Sequence, residues 1–468
     1  MEWLHAVRGH DPHKPWFLYY STGCSHAPHH VDRSWADKYK GRFDAGWDAY
    51  REATLERQKK LGIVPQDTEL SERPELFPAW DSLTDAQKRL YARQMEVFAG
   101  YSENADWNVG RLIDSIEEMG ELENTLVIYI WGDNGASMEG TLTGSFNETT
   151  FFNGVVLEAD EQLKLIDKWG GPETYPHMAA GWSVAFNAPF AWMKQVPSDF
   201  GGTRNGMVVH WPKGIRAKGE IRTQFGHVID VAPTILQAAG LPEPRVVNGT
   251  PQIPIEGVSM AYTFDDPKAP SMRRTQYFEL MGNRGIYHDG WVACTTPARS
   301  SWEPAEFTGD VISGYTWELY HVEEDFSEAV NLAEKEPDKL HELQLLFYAE
   351  AAKYNVLPLD HSTIARLDVA IRPSLTRGRT EFTYSQGLTR IPEGAAPDIK
   401  NKSFRITAEV VLAKGDEQGV VITQGGCSAG YALLFEGGKP VFYYNLLGIT
   451  HYRIAAEAPL TPGEHTVA

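Results

Sequence analysis

The chain has 468 residues, of which 42% are hydrophobic and 23% are charged, a composition typical of globular proteins. Its formal net charge of −20 excludes the basic surface that nucleic-acid binding requires, and no stretch is long and apolar enough to cross a bilayer. The three cysteines, Cys24, Cys294 and Cys427, are too few and too widely spaced for a disulfide framework or a paired-cysteine zinc site.

The first predicted elements lie before residue 32. Residues 1–10 resemble the end of a helix, and the aromatic run P-W-F-L-Y-Y-S at 15–21 predicts a buried strand of a parallel sheet. The loop after this run contains His26, His29 and His30. Histidines at a strand end can be metal ligands or general acids, or they can simply be surface residues of a polar loop.

A long amphipathic helix is predicted next. Thr84 and Gln87 have the spacing of a capping box, apolar residues then recur at helical spacing, and Gly120 is the expected C-cap. The apolar run at 125–131 predicts a buried strand, and a shorter helix is expected over 47–61. Helix followed by apolar strand is typical of a doubly wound α/β fold with a mostly parallel sheet.

Asp133 and Asn134 directly follow the strand at 125–131 and precede Gly135. Ligand sites of open α/β sheets form beyond the carboxyl ends of strands, and a carboxylate beside an amide oxygen suits Ca²⁺ or Mg²⁺. The same D-N-G triplet is also a good turn sequence. The two readings remain open on the residues alone.

Further along the chain, Lys194 lies ten residues before Arg204, with Gly201 and Gly202 between them. Two cations near a glycine pair can bind an oxyanion, although a surface lysine and an arginine that braces a turn explain the pattern equally well. The remaining predicted elements are strands at 207–211 and 316–321 and helices at 228–239 and 338–354.

The character of the sequence changes near residue 371. Residues 371–400 are polar and rich in turn formers, which predicts a linker, and four short alternating segments follow at 404–412, 419–423, 431–435 and 441–444. We therefore predict three regions, namely a catalytic domain at 1–370, the linker at 371–400 and an incomplete β-sandwich at 401–468.

These signals occur in a familiar order. The chain resembles the type I sulfatases of the alkaline phosphatase superfamily, most closely the large bacterial arylsulfatases, over residues 12–360. The segments that carry the resemblance are PWFLYYSTGCSHAPHHVDRSWADKYKGRFD, YIWGDNGASMEGTLTGSFNE, FGGTRNGMVVHWPKGI, HVIDVAPTILQAAGLP and TWELYHVEEDFSEAVNLAEKEPDKLHEL.

The resemblance implies particular roles. His26, in H-A-P, matches the histidine that contacts the sulfate ester, with His29 as the fallback, and Lys194 matches the sulfate-binding lysine. Asp133 and Asn134 match ligands of one divalent cation, with Ca²⁺ favoured over Mg²⁺. The implied activity is hydrolysis of a small-molecule sulfate ester, an aryl sulfate by preference, through a formylglycine nucleophile.

The sequence departs from the family at the nucleophile. No cysteine lies in a C-x-P-S-R motif; the segment C-T-T-P-A-R from Cys294 has one residue too many and follows the metal motif in chain order. The resemblance places the nucleophile and an aspartate pair in a segment before residue 1. We therefore expect a piece of a sulfatase truncated at both ends, which alone hydrolyses no sulfate ester.

Two alternatives remain open at this stage. The first is a phosphomonoesterase or phosphodiesterase of the same superfamily, although these usually keep two metals and Asp133 lacks a neighbouring histidine. The second is a non-catalytic, sulfatase-like binding protein.

Overall fold

The computed structural model describes residues 1–297, 309–362 and 374–468. The α-helices within these ranges are α1 (Glu2–His10), α2 (Arg33–Ala36), α3 (Gly46–Leu61), α4 (Asp85–Glu118), α5 (Ala159–Leu163), α6 (Ala180–Phe186), α7 (Phe200–Thr203), α8 (Val231–Ala238) and α9 (Pro337–Lys353). None of the described helices is long and apolar enough to span a membrane.

The strands in the described ranges form five sheets. These strands are β1 (Val127–Trp131), β2 (Gly206–His210), β3 (Val246–Val247), β4 (Thr250–Pro251), β5 (Thr275–Leu280), β6 (Asn283–His288), β7 (Trp291–Thr295), β8 (Trp317–His321), β9 (Ala408–Leu412), β10 (Gly419–Gly426), β11 (Ala429–Glu436), β12 (Lys439–Leu446), β13 (Thr450–Ala455) and β14 (Gly463–Val467). The mixture of helices and sheets confirms the predicted α/β class.

An aromatic core joins α3, α4 and α6. Trp47 of α3, Tyr91 of α4 and Trp182 of α6 are almost fully buried, and the Trp47 ring lies 5.8 Å from each of the other two rings. The predicted capping box at Thr84 and Gln87 begins α4, and Gly120 follows the helix with a positive φ of 72°. The predictions for α3 and α4 are therefore confirmed.

The sheet that leads to the site consists of β1 and β2, which pair antiparallel with Trp131 opposite Gly206. The sequence pattern had predicted buried strands of a mostly parallel sheet, and for this pair that detail is wrong. The chain leaves β1 at its carboxyl end and returns to the sheet at the same end, so β2 must run in the opposite direction. Both strands are also partly exposed, because only one neighbour covers each in the described residues.

Residues 15–21 do not form a strand. They have no regular secondary structure and no ladder partner among the described residues, and Phe17, Tyr19 and Tyr20 are largely exposed. A strand requires hydrogen bonds from a neighbouring strand, and no described segment runs beside this one. The prediction of a buried strand at 15–21 is therefore wrong.

A four-stranded antiparallel sheet in the order β5-β6-β7-β8 follows. Helix α9 covers it, with Leu343 and Phe347 packed against Ile286 and Leu319. This agrees with the predictions of a strand at 316–321 and a helix at 338–354. The helix predicted at 228–239 occurs as a short 3₁₀ turn, Val228–Asp230, that continues into α8.

The C-terminal strands form two antiparallel sheets, with β10 to β13 in chain order and β14 paired with β9. All four predicted segments overlap observed strands, and β13 and β14 are additional. Residues 371–373 of the predicted linker lie outside the described residues, and the domain boundaries remain a prediction.

Candidate active site

The segment after β1 is held as a tight turn. Asp133 is exposed and Asn134 is half-buried, and the side-chain amide of Asn205 pairs with the backbone N–H and C=O of Asn134 in the orientation that satisfies both groups. The Gly135 N–H donates to the Gly202 carbonyl at 2.8 Å, and a Cβ at Gly135 would lie only 2.0 Å from the Gly201 oxygen. The turn thus fixes the backbone that carries Asp133 and Asn134.

The two sequence-predicted catalytic residues lie in contact. Lys194 Nζ is 3.2 Å from His26 Nε2, although the residues are 168 positions apart. His26 Nδ1 lies 2.9 Å from the Ala27 carbonyl oxygen, so Nδ1 carries the proton and donates, and Nε2 accepts from the Lys194 ammonium. The Lys194 backbone N–H also donates to the Ala136 carbonyl at 3.1 Å, which ties the lysine to the turn after β1.

Glu139 is the charge partner of Lys194. Its Oε1 accepts from Lys194 Nζ at 3.0 Å and from Gln195 Nε2 at 3.3 Å, while only 6% of the residue is exposed. Burial pushes the pKa of this carboxyl upward, but attraction to Lys194 and His177 outweighs it, so the net pKa lies below the usual value. An ionised Glu139 keeps the Lys194 ammonium in place beside His26.

His177 was missed by sequence reasoning. Its Nδ1 lies 3.0 Å from the Met178 carbonyl oxygen and its Nε2 lies 2.8 Å from Ser137 Oγ, with no exposed surface. Burial lowers the pKa of the imidazole to about 4, which keeps it neutral near pH 7. His177 stands alone between Pro176 and Met178, and this context gives no signal of function.

Glu148 and His29 complete the buried surroundings. Burial, followed by the charge of Glu139, raises the pKa of Glu148, which is 4% exposed. His29 packs its ring at 4.8 Å from Phe98 and 4.9 Å from His177, and burial holds its pKa well below the usual value. His29, the fallback for the substrate-contacting histidine, is therefore enclosed, whereas His26 is exposed beside Lys194.

The glycine pair near Arg204 packs against protein backbone. A Cβ at Gly201 would lie 1.7 Å from the Ala191 oxygen, and one at Gly202 would lie 2.0 Å from the Val196 oxygen. The Arg204 guanidinium lies over the Phe326 ring at 4.1 Å from its centroid. These contacts agree with an arginine that braces the loop.

Neither Cys24 nor Cys294 has the environment of an activated thiol. Burial raises the pKa of Cys24 to about 12 and that of the fully buried Cys294 well above its usual value. Cys427 is exposed in the turn between β10 and β11. A nucleophilic cysteine requires the opposite shift, toward the thiolate.

The donor chemistry at Asp133 and Asn134 fits a hard cation. A carboxylate and an amide oxygen are two of the six to eight oxygen ligands that Ca²⁺ takes in proteins. Among the described residues, the groups of three potential ligands that lie close together are elsewhere, at Glu139, Glu148 and His177 and at Asp199, Cys294 and Glu318. Asp133 and Asn134 thus offer oxygen atoms of the kind a cation shell uses, and their role as ligands remains a prediction.

Comparison with known proteins gives a consistent result. The family model described as Sulfatase matches residues 1–241. An uncharacterized sulfatase of Schizosaccharomyces pombe is 29% identical over 356 residues, covering 73% of this chain and 58% of the relative. An arylsulfatase of Klebsiella aerogenes is 28% identical over 283 residues, covering 60% of this chain and 56% of the relative.

The chain thus spans somewhat more than half the length of the curated relatives it matches. Among solved structures, the crystal structure of Ps i-CgsB is similar at a TM-score of 0.44 and 16% identity, over 79% of this chain and 58% of its own.

Proposed function

The chain belongs to the sulfatase family, and on this premise we propose that it carries part of an active site that hydrolyses sulfate esters. The residues of that part are His26, Lys194, Asp133 and Asn134. The observation that supports the proposal most strongly is the 3.2 Å contact between Lys194 Nζ and His26 Nε2. The resemblance gave these two residues separate roles in sulfate recognition, and in the structure their side chains are in contact.

Lys194 binds a sulfuryl oxygen as a point charge. Its ammonium donates to Glu139 Oε1 at 3.0 Å. The lysine side chain is therefore already in position before the reaction and need not be immobilised during it. The lysine side chain remains 20% exposed, which leaves it accessible to an anionic ester.

His26 assists the leaving alcohol. The Ala27 carbonyl fixes the ring through Nδ1, so Nε2 is the nitrogen that faces the reacting groups. In the observed contact Nε2 accepts a hydrogen bond from the Lys194 ammonium. When the ring carries a proton on both nitrogens, Nε2 can instead donate its own proton to the alcohol oxygen as the ester bond breaks, which returns His26 to the neutral form.

A divalent cation at Asp133 and Asn134, Ca²⁺ by preference and Mg²⁺ as the alternative, supplies positive charge against the sulfuryl oxygens when it is bound. The formylglycine nucleophile of the family is expected outside the 468 residues, because no cysteine of the chain lies in the required motif. The preferred substrate class is an aryl sulfate, since one of the relatives is named as an arylsulfatase.

The cation part of the proposal is tested by titrating the purified chain with Ca²⁺ in a calorimeter. We expect one site, which the Asp133→Ala variant weakens at least tenfold, while the Asp114→Ala control on the exposed face of α4 binds like wild type. Equal affinity in wild type and Asp133→Ala would remove Asp133 from the shell. The chain should also release no nitrophenol from nitrophenyl sulfate with Ca²⁺ present, and metal-dependent turnover would contradict our placement of the nucleophile.

A further inference from the structure

A second group of metal-ligand atoms lies beneath Lys194. One oxygen each of Glu139 and Glu148 and a ring nitrogen of His177 lie within 4.8 Å of one another, and all three residues are buried. Exposed acidic groups often gather without binding an ion, but these side chains are buried, and a buried carboxyl group is ionised only when a positive charge lies beside it.

The two carboxylate oxygens of Glu139 differ in their surroundings. Oε1 accepts from Lys194 and from Gln195. Oε2 is fully buried and has no hydrogen-bond partner, and it lies 3.8 Å from His177 Nε2. A buried carboxylate oxygen without a hydrogen-bond partner lowers the free energy of unfolding. This oxygen points toward the imidazole rather than toward Lys194.

His177 presents a ligand-ready nitrogen to the same place. The ring donates from Nδ1 to the Met178 carbonyl at 3.0 Å, which leaves the lone pair on Nε2. Ser137 Oγ donates to that nitrogen at 2.8 Å, and a bound ion would take the place of this hydrogen bond. Metal-binding histidines commonly donate from one ring nitrogen to a backbone carbonyl while the other nitrogen binds the ion.

The charge balance of the cluster is incomplete. Two carboxyl groups, Glu139 and Glu148, lie here, and the described residues provide an ion pair with Lys194 for Glu139 but none for Glu148. His29 lies against His177 with a centroid separation of 4.9 Å, and neither of its ring nitrogens has a partner. Additional positive charge at this point would satisfy Glu139 Oε2 and offset Glu148.

We propose that Glu139 Oε2, Glu148 and His177 Nε2 form a binding site for Zn²⁺, separate from the cation site at Asp133 and Asn134. One imidazole and two carboxylates are nitrogen and oxygen ligands that zinc accepts, at bond lengths of about 2.0–2.1 Å. Tetrahedral bonds of that length place neighbouring ligand atoms about 3.3 Å apart. The observed distance between Oε2 and Nε2 is 3.8 Å, so a small movement of the two side chains toward each other would bring them to that separation. The fourth position is open to water or His29, and Lys194 keeps its bond to Oε1.

The test uses the full chain, from which a chelator first removes any bound metal. Ca²⁺ is then added until the site at Asp133 and Asn134 is saturated, and Zn²⁺ is titrated last. We expect one Zn²⁺ per chain. His177→Gln and Glu148→Gln should each weaken Zn²⁺ binding at least tenfold and leave Ca²⁺ affinity unchanged, whereas Asp133→Ala should do the reverse. The control variant His13→Gln changes an exposed histidine and should bind both ions like wild type.

Wild-type protein provides a second test that does not depend on whether a buried variant folds. X-ray absorption of the zinc-loaded chain should show one imidazole with oxygen ligands and no sulfur. A sulfur ligand would place the ion at one of the free cysteines, such as Cys294 beside Asp199 and Glu318, and overturn the assignment. Failure to bind Zn²⁺, or equal binding in wild type and His177→Gln, would also overturn it, and neither result bears on Ca²⁺ or sulfate binding at the proposed active site.

Discussion

At the scale of single residues, the contact between His26 and Lys194 depends on groups that the sequence does not reveal. The resemblance to the sulfatases selected both residues, through the H-A-P segment and the lysine before G-G-x-R, which the residue pattern alone would not have done. Glu139, which holds Lys194 at 3.0 Å, and His177, which lies 3.8 Å from Glu139, belong to no recognised pattern. Their proximity follows from the path of the chain between β1 and β2, and local sequence does not determine that path.

The first prediction concerns the neutral, buried His177. Its pKa in the folded protein is about 4, below the usual 6.5, mainly because burial disfavours the charged ring. Folding stability is therefore fully present above pH 6.5 and is lost as the pH falls from 6.5 toward 4. Urea unfolding of wild type at several pH values should show this loss, and His177→Gln should show a shallower one.

His10→Gln is the matched control, because His10 is exposed at the end of α1. This variant should follow the wild-type pH curve, and the remaining slope in His177→Gln should come partly from His29, whose pKa is also lowered by burial. An unchanged slope in His177→Gln would show that His177 is not the neutral buried group described here.

At the scale of elements, sequence signals worked where an element is specified by its own residues. The capping box of Thr84 and Gln87 and the positive φ of Gly120 gave the two ends of α4. Strands were harder to predict, because a strand exists only with a partner. The apolar segment at 15–21 has none in the described residues, and β1 pairs with β2 antiparallel because β2 enters from the end at which β1 leaves.

Helix α4 provides the second prediction, through two glycines in different environments. A Cβ at Gly100 would lie 2.6 Å from the Ala36 backbone nitrogen and 2.7 Å from the Trp35 carbonyl carbon, so α2 would have to move. Gly100→Ala should cost about 3 kcal/mol of unfolding free energy. Gly110 has no atom within 4 Å of an added Cβ, and Gly110→Ala should gain about 1 kcal/mol from helix propensity.

Denaturant unfolding of the two variants measures both effects in the same helix. The opposite signs are the informative result, since a general effect of the Gly→Ala change would give the same sign twice. Stabilisation by Gly100→Ala would mean that α2 and α4 do not approach as closely as described.

At the scale of the whole molecule, Asn147 joins the region of the candidate site to the C-terminal strands. Its Nδ2 donates to the Leu447 carbonyl at 2.7 Å and to the Ser428 carbonyl at 3.1 Å, while its Oδ1 accepts from the Thr149 N–H at 3.1 Å. The sequence predicted strands in the C-terminal region but could not predict this contact, because the paired atoms are about 300 residues apart and two of them are backbone carbonyls.

The third prediction follows from this contact. Asn147→Asp keeps the oxygen that caps Thr149 and replaces the donor with an acceptor, so two carbonyls face a carboxylate. We expect a loss of about 1–3 kcal/mol and faster proteolysis near residues 427–448. Asn124→Asp, which changes an exposed asparagine shortly before β1, should leave both properties unchanged. If Asn147→Asp is cleaved at the same rate as wild type, the contact does not hold the C-terminal sheet.

The central claim is that Lys194 and His26 form a sulfate-binding pair, and a calorimetric titration of the chain with inorganic sulfate in the presence of Ca²⁺ tests it most directly. We predict that wild type binds sulfate and that Lys194→Ala and His26→Ala each weaken binding at least tenfold, while Lys60→Ala, which removes an exposed lysine of α3, does not. Sulfate binding that is equal in wild type and Lys194→Ala, or no binding by wild type at all, would contradict the account.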